Sequence, residues 1–96
     1  MWYEEESEKN WVIIYPKDLY HVLKIRTKKP LETLKKLFEK TDTLVVYPPW
    51  KFKAPSLILR KTEFEKILNG EEVEVITPSV LLTKKISKAF FKDVEG

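Results

Sequence analysis

Two large aromatic side chains alternate with two lysines in one short segment of the sequence. The segment is Trp50-Lys51-Phe52-Lys53, and it lies between Pro48-Pro49 and Pro55. Aromatic rings can stack on unpaired bases while neighbouring ammonium groups contact phosphates. The same rings could instead form the centre of a protein interface, or pack under a sheet edge with the lysines pointing outward. The spacing therefore indicates a binding segment, with a purely structural role as its alternative.

A second basic feature lies near the C-terminus, where Lys84, Lys88 and Lys92 recur every four residues with Lys85 beside them. On a helix these lysines would share one face, and like charges at this spacing cost about 0.2–0.5 kcal/mol per pair. The position toward the helix C-terminus offsets part of that cost. Such a ridge could be a solvated face or part of a basic surface. The candidate binding residues are Trp50, Lys51, Phe52, Lys53, Arg60, Lys61, Lys84, Lys85, Lys88 and Lys92.

The side chains that usually carry catalysis are scarce. Gly70 and Gly96 are the only glycines and cysteine is absent, which excludes glycine-rich phosphate loops and thiolate chemistry. His21 is the single histidine, and its predicted strand position favours a structural or surface role. The aspartates form no metal-binding cluster. We therefore expect no cofactor, no metal and no catalytic residue, although a fold could still assemble dispersed carboxylates that no motif reveals.

Charge is distributed unevenly along the chain. The formal net charge is +3, but four glutamates and one lysine give residues 1–9 a charge of −3 and leave +6 on the remainder. Trp2 and Tyr3 could anchor this acidic segment on the body or on a partner, and a frayed terminus is the alternative. The sequence thus predicts an acidic N-terminal arm over residues 1–9 and one moderately basic domain over residues 10–96.

Composition limits the class of protein and its location. A chain of 96 residues with 43% hydrophobic residues can bury a core without disulfides. No apolar run approaches the roughly 18 residues of a membrane helix, and the acidic start is unlike a signal peptide, so we expect a cytoplasmic protein. Scarce thermolabile residues and abundant lysine and glutamate are typical of hyperthermophiles. In composition the chain is similar to small proteins of hyperthermophilic archaea and their viruses.

Two continuous apolar runs, at residues 11–15 and 44–47, predict inner strands buried on both faces. A type I turn is predicted at Tyr15-Pro16-Lys17-Asp18. Residues 19–27 fit either a strand or a helix, and the short spacing after the turn favours a β-hairpin. Pro30 is expected at the first position of a helix that continues to about Phe38.

In the second half, residues 56–60 predict a short strand, and Thr62 with Glu65 predicts the capping box of a helix that ends at Asn69-Gly70. A strand follows around Val73 and Val75. Thr77-Pro78 is expected to start the last helix. Its inward residues would be Leu82, Ile86, Ala89 and Phe90.

These elements predict an α+β or α/β domain with the order β-β-α-β-β-α-β-α. About three helices would pack on one mixed sheet of about five strands, with right-handed crossovers from the second strand to the third and from the fourth to the fifth.

The function that this pattern favours is a small, non-enzymatic binding protein that contacts single-stranded nucleic acid through a basic and aromatic surface. The alternative is a protein–protein interaction module or a homodimeric accessory factor, for example of a hyperthermophilic archaeal virus. In that alternative, exposed aromatic residues and a free strand edge would form the contact.

Overall fold

A computed structural model of the chain describes residues 10–49, 56–78 and 81–92. Its elements follow one another along the chain as β1 (Trp11–Pro16), β2 (Val22–Thr27), α1 (Pro30–Leu37), β3 (Thr43–Tyr47), β4 (Leu57–Arg60), α2 (Lys61–Leu68), β5 (Val73–Thr77), β6 (Leu82–Ile86) and a short 3-10 helix (Lys88–Phe90).

The strands form one six-stranded sheet in the order β2-β1-β3-β4-β5-β6, and every neighbouring pair is antiparallel. Helix α1 connects β2 to β3 across β1, whereas α2 connects the adjacent strands β4 and β5. The predicted mixed sheet of five strands with three helices is therefore wrong. The domain is α+β and mainly β. The expected crossover from the fourth strand to the fifth is also wrong, because β4 and β5 are antiparallel neighbours.

The last predicted helix is a strand followed by a 3-10 turn. Residues 82–86 pair with β5 throughout, from Thr77 opposite Leu82 to Val73 opposite Ile86. Pairing with β5 gives residues 82–86 backbone partners along one side, and alternation along the strand still directs Ile86 into the core. Of the four residues expected to face inward, only Ile86 is buried, and Phe91 takes the buried position expected for Phe90.

The core lies on one side of the sheet. Inward residues of the strands pack against α1, α2 and the C-terminal turn. The two helices contact each other through Phe38 and Phe64, whose ring centres are 5.1 Å apart. Strand β3 was expected to be buried on both faces, but Leu44 and Val46 are buried while Val45 is half-buried and Tyr47 is exposed. The reason is that both helices cover the same face. The buried residues of the strands are Trp11, Ile13, Leu44, Val46, Leu57, Leu59, Val73, Val75, Thr77 and Ile86.

The β1–β2 hairpin is confirmed, with six directly opposed pairs from Trp11–Thr27 to Pro16–Val22. The predicted type I turn is wrong, because Tyr15 and Pro16 still belong to β1. Instead, the Lys17 amide donates to the His21 carbonyl at 3.0 Å, and Asp18 Oδ1 accepts hydrogen bonds from the amides of Tyr20 and His21. Aspartate often organises loops in this way.

The ends of α2 are set by local hydrogen bonds. Glu63 Oε1 accepts a hydrogen bond from the Arg60 amide at 3.0 Å, so the helix begins at Lys61 and the predicted cap at Thr62 is wrong. The predicted left-handed ending is confirmed. Gly70 has a φ of 89°, its amide donates to Ile67, and the Glu71 amide donates to Lys66. These two bonds form a Schellman motif.

Candidate binding surface

The side of the sheet that faces away from α1 and α2 is the candidate site, and we call it the open face. Successive strand residues point to opposite sides, so the residues between the core positions belong to it. One row of directly opposed residues crosses all six strands and consists of Lys24, Ile14, Val45, Ile58, Ile76 and Thr83. At a strand spacing of about 4.8 Å this row is about 24 Å long.

The centre of the open face is apolar and accessible. Tyr47 and Ile76 each expose 44% of their surface, and Val12, Ile14 and Ile58 are half-buried. Tyr47 lies directly opposite Val12 in the β1–β3 pair. None of the described helices packs over these side chains, because the buried core lies on the other side of the sheet. A ligand would therefore meet an aromatic ring within a shallow aliphatic surface.

Basic side chains surround this apolar centre. Lys24 and Arg26 of β2 lie opposite Ile14 and Val12, and both are exposed. Arg60 ends β4 opposite Thr43, and Lys85 lies on the edge strand β6. Glu74 is the one acidic side chain that the six strands place on this face, and it lies opposite Lys85. The open face therefore combines an excess of positive charge with an apolar centre, which suits an anionic ligand with flat apolar groups.

The predicted site residues divide between the two faces. Arg60 and Lys85 lie on the open face, whereas Lys84 points to the opposite side of β6, with its Nζ 5.1 Å from the centre of the Phe90 ring. An ammonium over a ring face at this distance is a cation–π contact. The predicted lysine ridge is therefore wrong, since its residues lie on a strand and a 3-10 turn instead of one helix.

The remaining predicted residues add little to the open face. Lys61 is half-buried in the first turn of α2. Lys88 and Lys92 are exposed on the C-terminal segment, whose Phe91 packs into the core. The segment Trp50-Lys51-Phe52-Lys53 lies outside the described residues.

Two cations and the aromatic ring of the open face were not among the predicted site residues: Lys24, Arg26 and Tyr47. A signal for two of them was present, because alternation along β2 puts Lys24 and Arg26 on one face. The apolar run at residues 44–47 predicts that Tyr47 is buried. Only the placement of both helices on one side of the sheet shows that its ring faces away from the core.

One histidine–aspartate contact is present among the described residues. His21 Nδ1 lies 2.9 Å from Asp18 Oδ1 in the exposed β1–β2 loop. The pKa of Asp18 is lowered, mainly by the hydrogen bond from the Tyr20 amide and then by the His21 side chain. Within the described ranges, no group of three or more His, Cys, Asp or Glu side chains could hold a metal ion.

Comparison with known proteins places the chain in no family. No family model matches it, and no curated protein or solved structure is significantly similar to it. None of the described helices is long and apolar enough to cross a membrane.

Proposed function

We propose that this protein binds single-stranded nucleic acid on its open face and catalyses no reaction. The observation that carries the proposal is the row from Lys24 to Thr83, in which four apolar residues cross the sheet from the basic strand β2 to β6, where Lys85 lies two residues from Thr83. Phosphates would contact Lys24, Arg26 and Lys85, and unpaired bases would lie on the apolar centre. Stacking on a side-chain ring is tolerant of base identity, because every base has a π face.

The position of Tyr47 supports this arrangement. Its ring is exposed, and Val12 lies opposite Tyr47 on one side and opposite Arg26 on the other. A base over Tyr47 would thus have a cationic side chain two strands away, at about 10 Å. Because aliphatic groups surround the ring, recognition would depend on stacking and on the phosphates. We therefore expect weak sequence preference and strong dependence on salt.

The decisive experiment compares two double variants with the same change in net charge. Lys24→Gln/Arg26→Gln removes two cations from the open face, and Lys35→Gln/Lys66→Gln removes two exposed cations from α1 and α2. Binding of a labelled single-stranded oligonucleotide is measured by anisotropy over a range of salt concentrations. The slope of log K against log salt is negative. If both open-face cations contact phosphates, the first variant makes this slope less steep by about 1.4. The helix variant should leave that slope unchanged, and equal effects of both variants would rule out the open face.

A protein-interaction function is the alternative, and the β1–β2 hairpin favours it. Leu19 and Tyr20 at its tip are 93% and 88% exposed, and exposed apolar clusters commonly mark contact sites. If the wild-type protein binds no single-stranded DNA or RNA even at low salt, the nucleic-acid proposal is wrong. Interaction through the hairpin would then take its place.

A further inference from the structure

Strand β2 is an edge of the described sheet, since only β1 pairs with it there. Natural proteins usually guard such edges with charge, proline or bulges. The charged residues of β2, Lys24 and Arg26, both lie on the open face, so its helix side carries no charge. Its first two residues expose Val22 on the open face and Leu23 on the helix side, at 64% and 48%. The start of this edge can therefore accept another strand.

The other edge strand is better guarded. Lys84 and Lys85 are adjacent on β6 and point to opposite sides of the sheet. A strand added beside them would have to place its own side chains next to an ammonium group on each face of the sheet. The two edges therefore differ, and β2 is the one suited to association.

We propose that a second copy of this chain pairs with β2 in antiparallel orientation across a two-fold axis centred on Leu23. The two sheets would then form one continuous sheet. The proposal does not depend on nucleic-acid binding, although it would join the two open faces into one, with the Lys24 residues of the two copies in diagonal positions about 7–8 Å apart.

The charges of β2 select this register. In an antiparallel pair of two identical strands, directly opposed residues lie on the same face of the sheet. The two-fold axis must therefore lie between one residue and its own copy, and not between two different residues. An axis at Lys24 would oppose two lysines, and an axis at Ile25 would oppose Lys24 to Arg26. Like charges directly opposite one another destabilise a sheet.

An axis at Leu23 avoids these repulsions. It opposes Leu23 to its own copy and Val22 to Lys24, and these pairs lie within β2. An axis at Val22 would leave only the Val22 pair within β2, because every other pair would include a residue of the loop that the hydrogen bond from Lys17 to His21 closes. Leu23 is therefore the position that combines an apolar central pair with no opposed like charges.

The first test measures the oligomeric state by sedimentation, with a matched substitution at each edge. The wild-type protein should be a dimer, and Leu23→Lys should be a monomer because it places two ammonium groups at the axis. Leu82→Lys makes the same change on β6, where Leu82 is 66% exposed, and should remain a dimer. Thermal melts establish that both variants are folded. A monomeric wild-type protein, or dissociation by Leu82→Lys alone, would overturn the proposal.

The second test uses the absence of cysteine from the chain, which makes any introduced thiol unique. Directly opposed Cβ atoms are about 4.5–5.5 Å apart, close to the span of a disulfide. Leu23→Cys should therefore form a covalent dimer under mild oxidation, whereas Lys24→Cys and Leu82→Cys should remain monomeric on a non-reducing gel. Cross-linking of Lys24→Cys instead would disprove the register. Cross-linking of Leu82→Cys, or of no variant, would disprove pairing through β2.

Discussion

The Trp11 indole Nε1 donates a hydrogen bond to the Lys92 backbone carbonyl at 3.2 Å, although the two residues are 81 positions apart in the chain. Trp11 is fully buried, and its ring lies 5.6 Å from Phe90 and 5.4 Å from Phe91. Phe91 is only 2% exposed. The first strand and the last described residues thus pack against each other on the core side of the sheet.

This contact predicts that Phe91 matters more to stability than its neighbour. Phe91→Ala should reduce the free energy of unfolding by about 3–5 kcal/mol, because it removes a buried ring and leaves a cavity beside Trp11. Phe90→Ala should cost clearly less, since Phe90 is only half-buried. Urea unfolding of the two variants provides the comparison. Equal losses would mean that the C-terminal segment does not pack on Trp11 as described.

The start of α2 gives a second prediction about stability. Glu63→Ala should cost about 1 kcal/mol, because the Arg60 amide loses its hydrogen-bond acceptor. Glu63→Gln keeps an acceptor oxygen and should restore much of the loss. Thr62→Ala should have little effect, although the sequence pattern predicts the cap at that residue. Thermal unfolding of the three variants measures the difference. A larger effect at Thr62 than at Glu63 would contradict the observed helix start.

Asp18 predicts how the β1–β2 hairpin responds to acid. Hydrogen bonds from the Tyr20 amide and the His21 side chain lower its pKa from the ordinary value of 3.8. A carboxylate whose pKa is lower in the folded state stabilises the fold above the unfolded-state pKa. That contribution disappears as the pH falls through the folded-state pKa.

The test compares wild type with Asp18→Asn, which keeps the Oδ1 acceptor but cannot ionise. The wild-type protein should be the more stable of the two at neutral pH, and the difference should shrink as the pH falls below about 4. Melting temperatures across an acid series measure it. A difference that is independent of pH would show that ionised Asp18 does not stabilise the loop.

The fold was predictable from sequence where local chemistry determines it. Pro30 begins α1 as expected, Gly70 ends α2, and the β1–β2 hairpin forms between its predicted runs. The last element was not predictable in the same way. The spacing of its residues fits both a helix, which repeats near every four residues, and a strand, which repeats every two. Pairing with β5 makes it a strand.

The candidate site was predictable only in part. Arg60 and Lys85 were identified as basic, and both lie on the open face. Their grouping with Lys84 assumed a helix, whereas a strand sends adjacent lysines to opposite sides. Tyr47 could not be identified from its sequence context, because an apolar run does not reveal which face of the strand the helices will cover.

Tyr47 gives a direct test of stacking. Tyr47→Ala should weaken binding of a single-stranded oligonucleotide by about 1–3 kcal/mol, and Tyr47→Phe should retain most of the affinity because it keeps the ring. The prediction for Trp50 has the same magnitude, although Trp50 lies outside the described residues. Anisotropy titrations at one fixed salt concentration measure these effects. Unchanged affinity of Tyr47→Ala would mean that no base stacks on the centre of the open face.

The acidic arm leads to the last prediction. Residues 1–9 lie outside the described residues, and they carry four glutamates and one lysine. If their carboxylates compete with phosphate for the basic side chains, deleting the arm should tighten oligonucleotide binding. The gain should be largest at 0.01 M salt, where the Debye length is about 30 Å, and smaller at 0.15 M, where it is about 8 Å.

A variant that keeps the arm but removes its carboxylates separates competition from other effects of the deletion. Replacing Glu4, Glu5, Glu6 and Glu8 with glutamine keeps the length of the arm and removes its negative charge, so it should tighten binding about as much as the deletion does. The titrations are repeated at both salt concentrations. If the deletion tightens binding but the glutamine variant does not, the arm acts through its bulk or its aromatic residues, and the electrostatic explanation is wrong. If neither variant binds at low salt, the proposal that the open face holds nucleic acid fails as well.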